Sequence, residues 1–239
     1  MDELLSELVM LEEDILYITP AVDGEPEFSY EPGTVPVLLS APHAASHTRQ
    51  GVLKEEDEYT GGLVRLVARL SGGHAIYARR KSMTDPNWYP DAPYKELLKR
   101  IILESEIRFV MDIHGAASDH AFGIAIGTAG GTSCPRERPM IIQALQKFGL
   151  GPDQPRFEKL DLDNIFPAKK KGTITHFAWY ELGCPAAQFE INGCLRTVQR
   201  RGDASNPETF RGDPARIINT VQALTYLVQV LGLSSLGEC

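Results

Sequence analysis

The sequence predicts a single α/β domain whose central sheet is mostly parallel or mixed and carries helices on both faces. Short apolar segments of strand length alternate along the chain with amphipathic segments of helical length, which is the pattern of βαβ units. The 239 residues, 43% of them hydrophobic, can form one large core. We therefore expect one domain over residues 1–239, with an N-terminal helix and loop over 1–33 and the core over 34–233.

The predicted strands are short apolar runs bounded by polar or turn-forming residues. They are Val35–Ser40, His74–Tyr77, Ile107–Ile113, Ala121–Gly127 and Ala186–Ile191. Gly172–His176 is expected to be a short strand or a bend.

The predicted helices follow from apolar residues at helical spacing and from end signals. In Glu55–Leu70, acidic residues in the first turn favour a helix start, and Asp213-Pro214 provides an N-cap and a first helical residue. The helices are Leu4–Tyr17, Glu55–Leu70, Tyr94–Ser105, Pro139–Phe148 and Ala215–Leu231.

Charge and hydropathy argue against two classes of binding partner. The formal net charge of −8 argues against nucleic acid or an anionic membrane, and no apolar run reaches the length of a membrane span. The acidic start Met1-Asp2-Glu3 differs from the basic start of a secretory signal. We therefore expect a cytoplasmic protein that binds neither nucleic acid nor a membrane.

Two predicted strands end at a histidine. Val35–Ser40 is followed by Pro42-His43, and the strand after Ile107 runs through Asp112-Ile113-His114. Side chains two residues apart lie on the same side of a strand, and working residues of parallel sheets collect beyond the strands' carboxyl ends. The two histidines therefore indicate a metal site.

A catalytic zinc site often has two histidines and one carboxylate, with a position left for water. The carboxylate is expected in the run Glu55-Glu56-Asp57-Glu58. We favour Glu56, with Asp57 close behind, because spacing alone does not separate them. Glu190 lies inside an apolar strand, and a carboxylate there needs a partner or a raised pKa, as a general base would have.

These residues resemble motifs of the N-formylglutamate amidohydrolase family. The family's Ser-Pro-His-Ser-Gly pattern is similar to Ser40–Ala44, and its Glu-Asp at a helix start is similar to Glu56-Asp57. Its Arg…Asp-x-Asn-Arg stretch corresponds to Arg79-Arg80 followed by Asp85-Pro86-Asn87, its Asp-x-His to Asp112–His114, and its Glu-x-Asn to Glu190–Asn192. The matches run in order from about residue 36 to 200.

The resemblance implies a phosphorylase/hydrolase-like fold, similar to that of the zinc carboxypeptidases, with one Zn²⁺ ion. His43, Glu56 and His114 would bind the metal, and Glu190 would be the general base and acid. Asp85 and Asp112 would hold the imidazoles in the required orientation. The implied reaction is hydrolysis of an amide bond in a small N-formyl- or N-acyl-amino acid or a related substrate.

The candidate substrate-binding and oxyanion residues are less specific. Where the family has Asn-Arg, this chain has Asn87-Trp88, so the guanidinium that would grip a carboxylate is missing at that point. Arg80, or Arg79, would stabilise the oxyanion. The substrate-binding candidates are Arg49, Arg79, Asn87, His176, Asn192 and Arg196.

Two alternatives remain open from the sequence. One is an amidase acting on peptidoglycan-type peptides, which uses similar ligands. The other is a catalytically inactive binding relative. This alternative stays open because Trp88 replaces the arginine that would bind a carboxylate in the family.

Overall fold

The computed structural model describes residues 3–234. Residues 1–2 and 235–239 lie outside this range, and with them the acidic Met1-Asp2 on which the localisation prediction partly depends. The strands are β1 (Leu16–Pro20), β2 (Phe28–Glu31), β3 (Val37–Ala41), β4 (His47–Arg49), β5 (Val52–Lys54), β6 (His74–Ala78), β7 (Arg80–Lys81), β8 (Phe109–Ala116), β9 (Ile124–Gly127), β10 (Leu160–Leu162) and β11 (Ala186–Asn192).

Six α-helices accompany these strands within the described range. They are α1 (Glu3–Glu13), α2 (Thr60–Ser71), α3 (Pro93–Glu104), α4 (Glu137–Gln146), α5 (Ile174–His176) and α6 (Pro214–Ser234). A π-helical turn over Phe177–Glu181 continues α5, and a 3-10 turn over Gly193–Leu195 follows β11.

Within residues 3–234 the central sheet is mixed and has seven strands, in the order β10-β9-β11-β8-β3-β6-β2. The four central strands, β11, β8, β3 and β6, are parallel, whereas β2 and β9 join antiparallel to this block. The carboxyl ends of β3, β8 and β11 therefore lie side by side at one edge. Glu190 pairs in register with His114 across β11 and β8.

Helices cover both faces of this sheet, as predicted. The hydroxyl of Ser40 is hydrogen-bonded to the hydroxyl of Tyr94 in α3. The side chain of the neighbouring Leu39 lies on the other face, where Leu39 and Val228 of α6 both lie close to Gly73. Because adjacent strand residues point to opposite faces, α3 lies on one face and α6 on the other. Helices α1 and α2 pack with α6.

The structure corrects three sequence-based expectations. The region expected to be helix and loop contains β1 and β2, because Tyr17 and Phe28 are buried in the core. Helix α2 begins at Thr60 rather than Glu55, since Tyr59 has a left-handed backbone (φ 64°) that interrupts a helix there. Gly172–His176 contributes a short helix rather than a strand.

Within residues 3–234, none of the helices combines the length and the apolar character needed to cross a lipid bilayer.

Candidate metal centre and active-site cavity

His43 and His114 converge at the carboxyl edge of the sheet. His43 lies in the turn after β3, and His114 lies near the end of the adjacent parallel strand β8. Their ring centroids are 4.7 Å apart. Asp57 Oδ2 lies 3.6 Å from His43 Nδ1 and 3.2 Å from His114 Nδ1. These three side chains offer ligand atoms within 4.8 Å of one another, which suits a single metal ion.

The carboxylate of this group comes from Asp57, which corrects the preference for Glu56. Glu56 turns away: its two oxygens accept hydrogen bonds from the backbone N–H and the hydroxyl of Ser205, at 2.7 and 2.6 Å. Asp57 is held beside His43 because its backbone N–H donates to the His43 carbonyl at 2.7 Å. The two residues precede α2 rather than forming its first turn, so helical geometry does not decide which one faces the histidines.

Each histidine has a second, buried carboxylate on its distal nitrogen. His43 Nε2 lies 2.9 Å from Asp85 Oδ1, and His114 Nε2 lies 3.1 Å from Asp112 Oδ1. Asp112 is held in turn by the hydroxyl of Thr175, which donates to Oδ2 at 3.1 Å. Such contacts fix the orientation and tautomer of a metal-binding imidazole, and both Nδ1 atoms are left facing Asp57.

The electrostatics of the cluster favour a cation. Burial opposes ionisation of Asp57, but its hydrogen bonds with His114 and His43 outweigh burial and lower the pKa of its carboxyl. Burial likewise works against charge on His43 and His114, yet the neighbouring carboxylates raise the pKa of both imidazoles. A site that attracts protons this strongly also suits a divalent cation, which binds the neutral imidazole and releases the proton.

A second group with metal-ligand chemistry consists of His43, His47 and Asp85. His47 stacks on His43 with ring centroids 3.9 Å apart. Neither His47 nor Asp85 lines the cavity that contains Asp57 and His114. Asp85 is also occupied, because it accepts from His43 and from Arg49 Nε. The first group is therefore the better candidate for a metal that meets a substrate.

Glu190 reaches the same cavity from β11. Burial raises the pKa of its carboxyl, while the charge of His114 partly opposes this increase. Gln188 Nε2 donates to Glu190 Oε1 at 2.6 Å, and among residues 3–234 no hydrogen-bond partner occupies Oε2. A buried carboxylate with a raised pKa and one unoccupied oxygen suits proton transfer.

The cavity has a volume of about 390 Å³, within the range of small-molecule sites. Its lining contains the polar side chains of His43, Asp57, His114, Gln188 and Glu190 and the apolar segment Ile165, Phe166, Pro167 and Ala168. The cations at its border are Arg49, Lys169 and Lys170. The two lysines were not predicted site residues, and a run of lysines in the sequence more often indicates a solvated loop.

Arg79 and Arg80 do not reach this cavity. Arg79 is exposed, and Arg80 pairs with Glu25 at 2.6 Å from strand β7. Strand β7 pairs with β1 in a separate two-stranded sheet. The predicted oxyanion role of Arg80 therefore has no geometric support, and the same holds for substrate binding by Arg79.

Of the four remaining substrate-binding candidates, one lines the cavity and three lie outside its lining. Asn87 lines the cavity, where Nδ2 lies 2.9 Å from His114 Nε2 and Oδ1 accepts from the Ile174 N–H at 2.7 Å. His176 packs against Trp179 and Tyr180 outside the cavity lining.

Asn192 and Arg196 are also outside the lining. Asn192 Nδ2 donates to the Phe122 carbonyl at 3.1 Å, and its Oδ1 accepts from the Cys194 N–H, which indicates a structural role. Arg196 is buried against Gly115, where a Cβ would lie 2.3 Å from its Nη2. Burial lowers the pKa of its guanidinium. Its Nε has no hydrogen-bond partner within the described chain.

No protein-family model matches this sequence, and a comparison with curated proteins finds no similar sequence. Solved structures, in contrast, share its architecture. N-formylglutamate amidohydrolase from Ralstonia eutropha JMP134 superimposes with a TM-score of 0.61 at 14% identity, covering 87% of this chain and 97% of that one.

Two further structures show the same relationship. A bacteriophage poly-gamma-glutamate hydrolase gives a TM-score of 0.50 at 15% identity, with 91% of this chain and 93% of that one covered. A metallo-carboxypeptidase from Pseudomonas aeruginosa gives 0.51 at 12% identity, covering 97% and 68%. The resemblance drawn from the motifs is thus confirmed at the level of the fold: this chain has the carboxypeptidase-like fold that N-formylglutamate amidohydrolase shares.

Proposed function

We propose that this protein is a zinc-dependent hydrolase that cleaves the amide bond of a small N-formyl- or N-acyl-amino acid or a related linear amide. One observation carries the proposal: His43, Asp57 and His114 converge in a cavity that also contains the buried carboxylate of Glu190. The hydrolase fold supports it.

The donor set fits zinc. Two imidazole nitrogens and one carboxylate oxygen form a common ligand set of catalytic zinc, and Asp85 and Asp112 hold the imidazoles so that both Nδ1 atoms face Asp57. A Zn²⁺ ion bound there would polarise the scissile carbonyl and lower the pKa of water.

Glu190 is the proton carrier in this proposal. It lies beside His114 in the register of the sheet, and burial raises the pKa of its carboxyl, which favours both accepting a proton and returning it. It takes the proton from the attacking water and delivers it to the nitrogen of the leaving amine. Gln188 orients the carboxylate through its hydrogen bond.

The cavity volume of about 390 Å³ is near the lower end of the usual range for ligand sites, about 300–1,000 Å³. This volume favours a small amide over a peptidoglycan-type peptide. Cleavage of muropeptides in preference to acyl-amino acids would instead support the alternative.

The experiment combines metal analysis with a substrate panel. Protein loaded with Zn²⁺ is assayed against N-formyl-amino acids, N-acetyl-amino acids and muropeptides, and bound metal is counted by mass spectrometry. We expect one zinc per chain and turnover of acyl-amino acids. His114→Ala should lose both, whereas the control His120→Ala, outside the cavity lining, should keep both.

A wild-type protein that binds no stoichiometric metal would rule out this proposal. Turnover by His114→Ala at the wild-type rate would also contradict it.

A further inference from the structure

Arg49 is a cation of the cavity lining whose guanidinium is held by an ion pair and a ring contact. It ends strand β4, and its Nε donates to Asp85 Oδ2 at 2.5 Å. Its guanidinium carbon lies 5.0 Å from the ring centroid of Trp88, the geometry of a cation–π contact. Asp85 is fully buried and also accepts from His43 Nε2, so one carboxylate ties Arg49 to a candidate metal ligand.

The backbone of Trp88, the residue on which Arg49 stacks, is held by contacts of its own. The Trp88 N–H donates to the Asp85 carbonyl at 3.1 Å, and the Trp88 carbonyl packs so closely on Gly172 that a Cβ there would lie 2.7 Å away. The next residue after Arg49 is held as well, because the Gln50 N–H donates to the hydroxyl of Tyr89 at 2.8 Å. Strand β4 and the 85–89 turn are therefore joined at three points.

The remaining donors of Arg49 are unused. Its two terminal nitrogens have no hydrogen-bond partner among residues 3–234, and its side chain is 31% exposed while lining the cavity. A guanidinium that is held at Nε and on one face, with both terminal nitrogens available, presents the fork that pairs with a carboxylate through two hydrogen bonds. The side-chain amide of Asn87 is already engaged, because its donor Nδ2 lies 2.9 Å from His114 Nε2 and its Oδ1 accepts from the Ile174 N–H.

We infer that Arg49, stacked on Trp88, binds a free carboxylate of the substrate and thereby selects anionic amides over neutral ones. The inference rests on the proposed function and specifies its substrate class. It also gives Trp88 a role at the position where the similar family has arginine: the indole packs against the guanidinium of Arg49, which comes from strand β4. Lys169 and Lys170 add positive charge to the same cavity.

The test measures binding, so that it does not depend on turnover. Zinc-loaded Glu190→Gln protein is titrated with N-acetyl-leucine and with N-acetyl-leucinamide, which differ only in the terminal carboxylate, and affinity is followed by calorimetry. We expect the carboxylate to bind about 10–100-fold more tightly, the range for hydrogen bonds to charged groups. Adding Arg49→Gln should remove this preference, and Arg49→Lys should restore part of it.

Arg79→Gln is the matched control, because it removes the same charge from an exposed position outside the cavity lining. It should leave the preference unchanged. Equal affinity for the two ligands, equal effects of Arg49→Gln and Arg79→Gln, or failure of both ligands to bind would each overturn the inference.

Turnover of acyl-amino acids by the wild-type enzyme is measured separately. It can therefore succeed while the role of Arg49 fails.

Discussion

Glu12 and Glu190 are both buried glutamates with a raised carboxyl pKa, but their surroundings differ. Glu12 Oε1 accepts from the Tyr17 hydroxyl at 2.6 Å and from the Tyr59 N–H at 2.7 Å, and Oε2 accepts from the Gly62 N–H at 2.6 Å. Within the described part of the chain, Glu190 has a single such donor, Gln188, and it lines the cavity beside His114. A raised pKa alone therefore does not distinguish the two carboxylates. Glu190 is the better candidate for proton transfer because one of its oxygens has no hydrogen-bond partner among residues 3–234 and the residue lines the cavity.

The same contrast separates Asp57 from Glu56. Ser205 occupies both oxygens of Glu56, whereas Asp57 faces two histidines in the cavity. Glu12 and Glu56 thus serve the packing of loops and helices, and Glu190 and Asp57 are available for chemistry.

The largest effect is expected for Glu190→Gln. Loss of a general acid–base typically costs about 10²–10⁴ in rate, and we expect a decrease in kcat of that size with metal content unchanged. Glu12→Gln, compared per folded molecule, should retain kcat within a few fold. Steady-state kinetics on an N-acyl-amino acid tests the pair, and equal losses of kcat in both variants would remove the distinction between them.

The second effect concerns metal binding. Asp57→Asn should weaken zinc binding by more than the ~10–100-fold that loss of an orienting partner costs, because a ligand itself is changed. Glu56→Gln should have little effect on affinity. Competition with a chromogenic chelator measures both, and the reverse order would return the ligand role to Glu56.

The third effect is on the pH dependence of stability and leaves the active-site cavity unchanged. Burial raises the pKa of Glu12 to about 7 from 4.5, against the opposing hydrogen bonds from Tyr17, Gly62 and Tyr59. Between these two values the folded protein keeps a proton that the unfolded chain releases, so the contribution of Glu12 to stability decreases as pH rises and levels off above pH 7.

The stability advantage of the wild type over Glu12→Gln should therefore shrink by about 3 kcal/mol between pH 4 and pH 8. Urea unfolding at several pH values tests this. A difference that stays constant with pH would show that Glu12 has an ordinary pKa, and its comparison with Glu190 would need another basis.

Much of the site followed from local patterns. The apolar runs that end at His43 and His114 predicted two strands that each present a histidine at the carboxyl end, and the alternation of side chains put Asp112 on the same side as His114. Glu190 was recognisable as a carboxylate inside an apolar strand. These inferences depend on strand geometry, which repeats every two residues and can be read from the sequence.

The cations could not be placed in the same way. Arg79 and Arg80 matched a family pattern, yet β7 pairs with β1 away from the cavity, while Lys169 and Lys170 border it from a loop. Long, flexible side chains on turns have no periodicity that indicates their direction, so a motif locates them along the chain and not in space.

The sequence by itself determined the mixed α/β architecture and the positions of His43, His114 and Glu190 at strand ends, because burial and alternation are local properties. Only the tertiary structure decided that Asp57 rather than Glu56 faces the histidines and that Arg49 lies on Trp88. Both outcomes depend on contacts between distant segments, namely the hydrogen bonds from the Asp57 N–H to the His43 carbonyl, from Ser205 to Glu56 and from Arg49 to Asp85. In irregular segments such contacts, rather than backbone periodicity, determine where a side chain points.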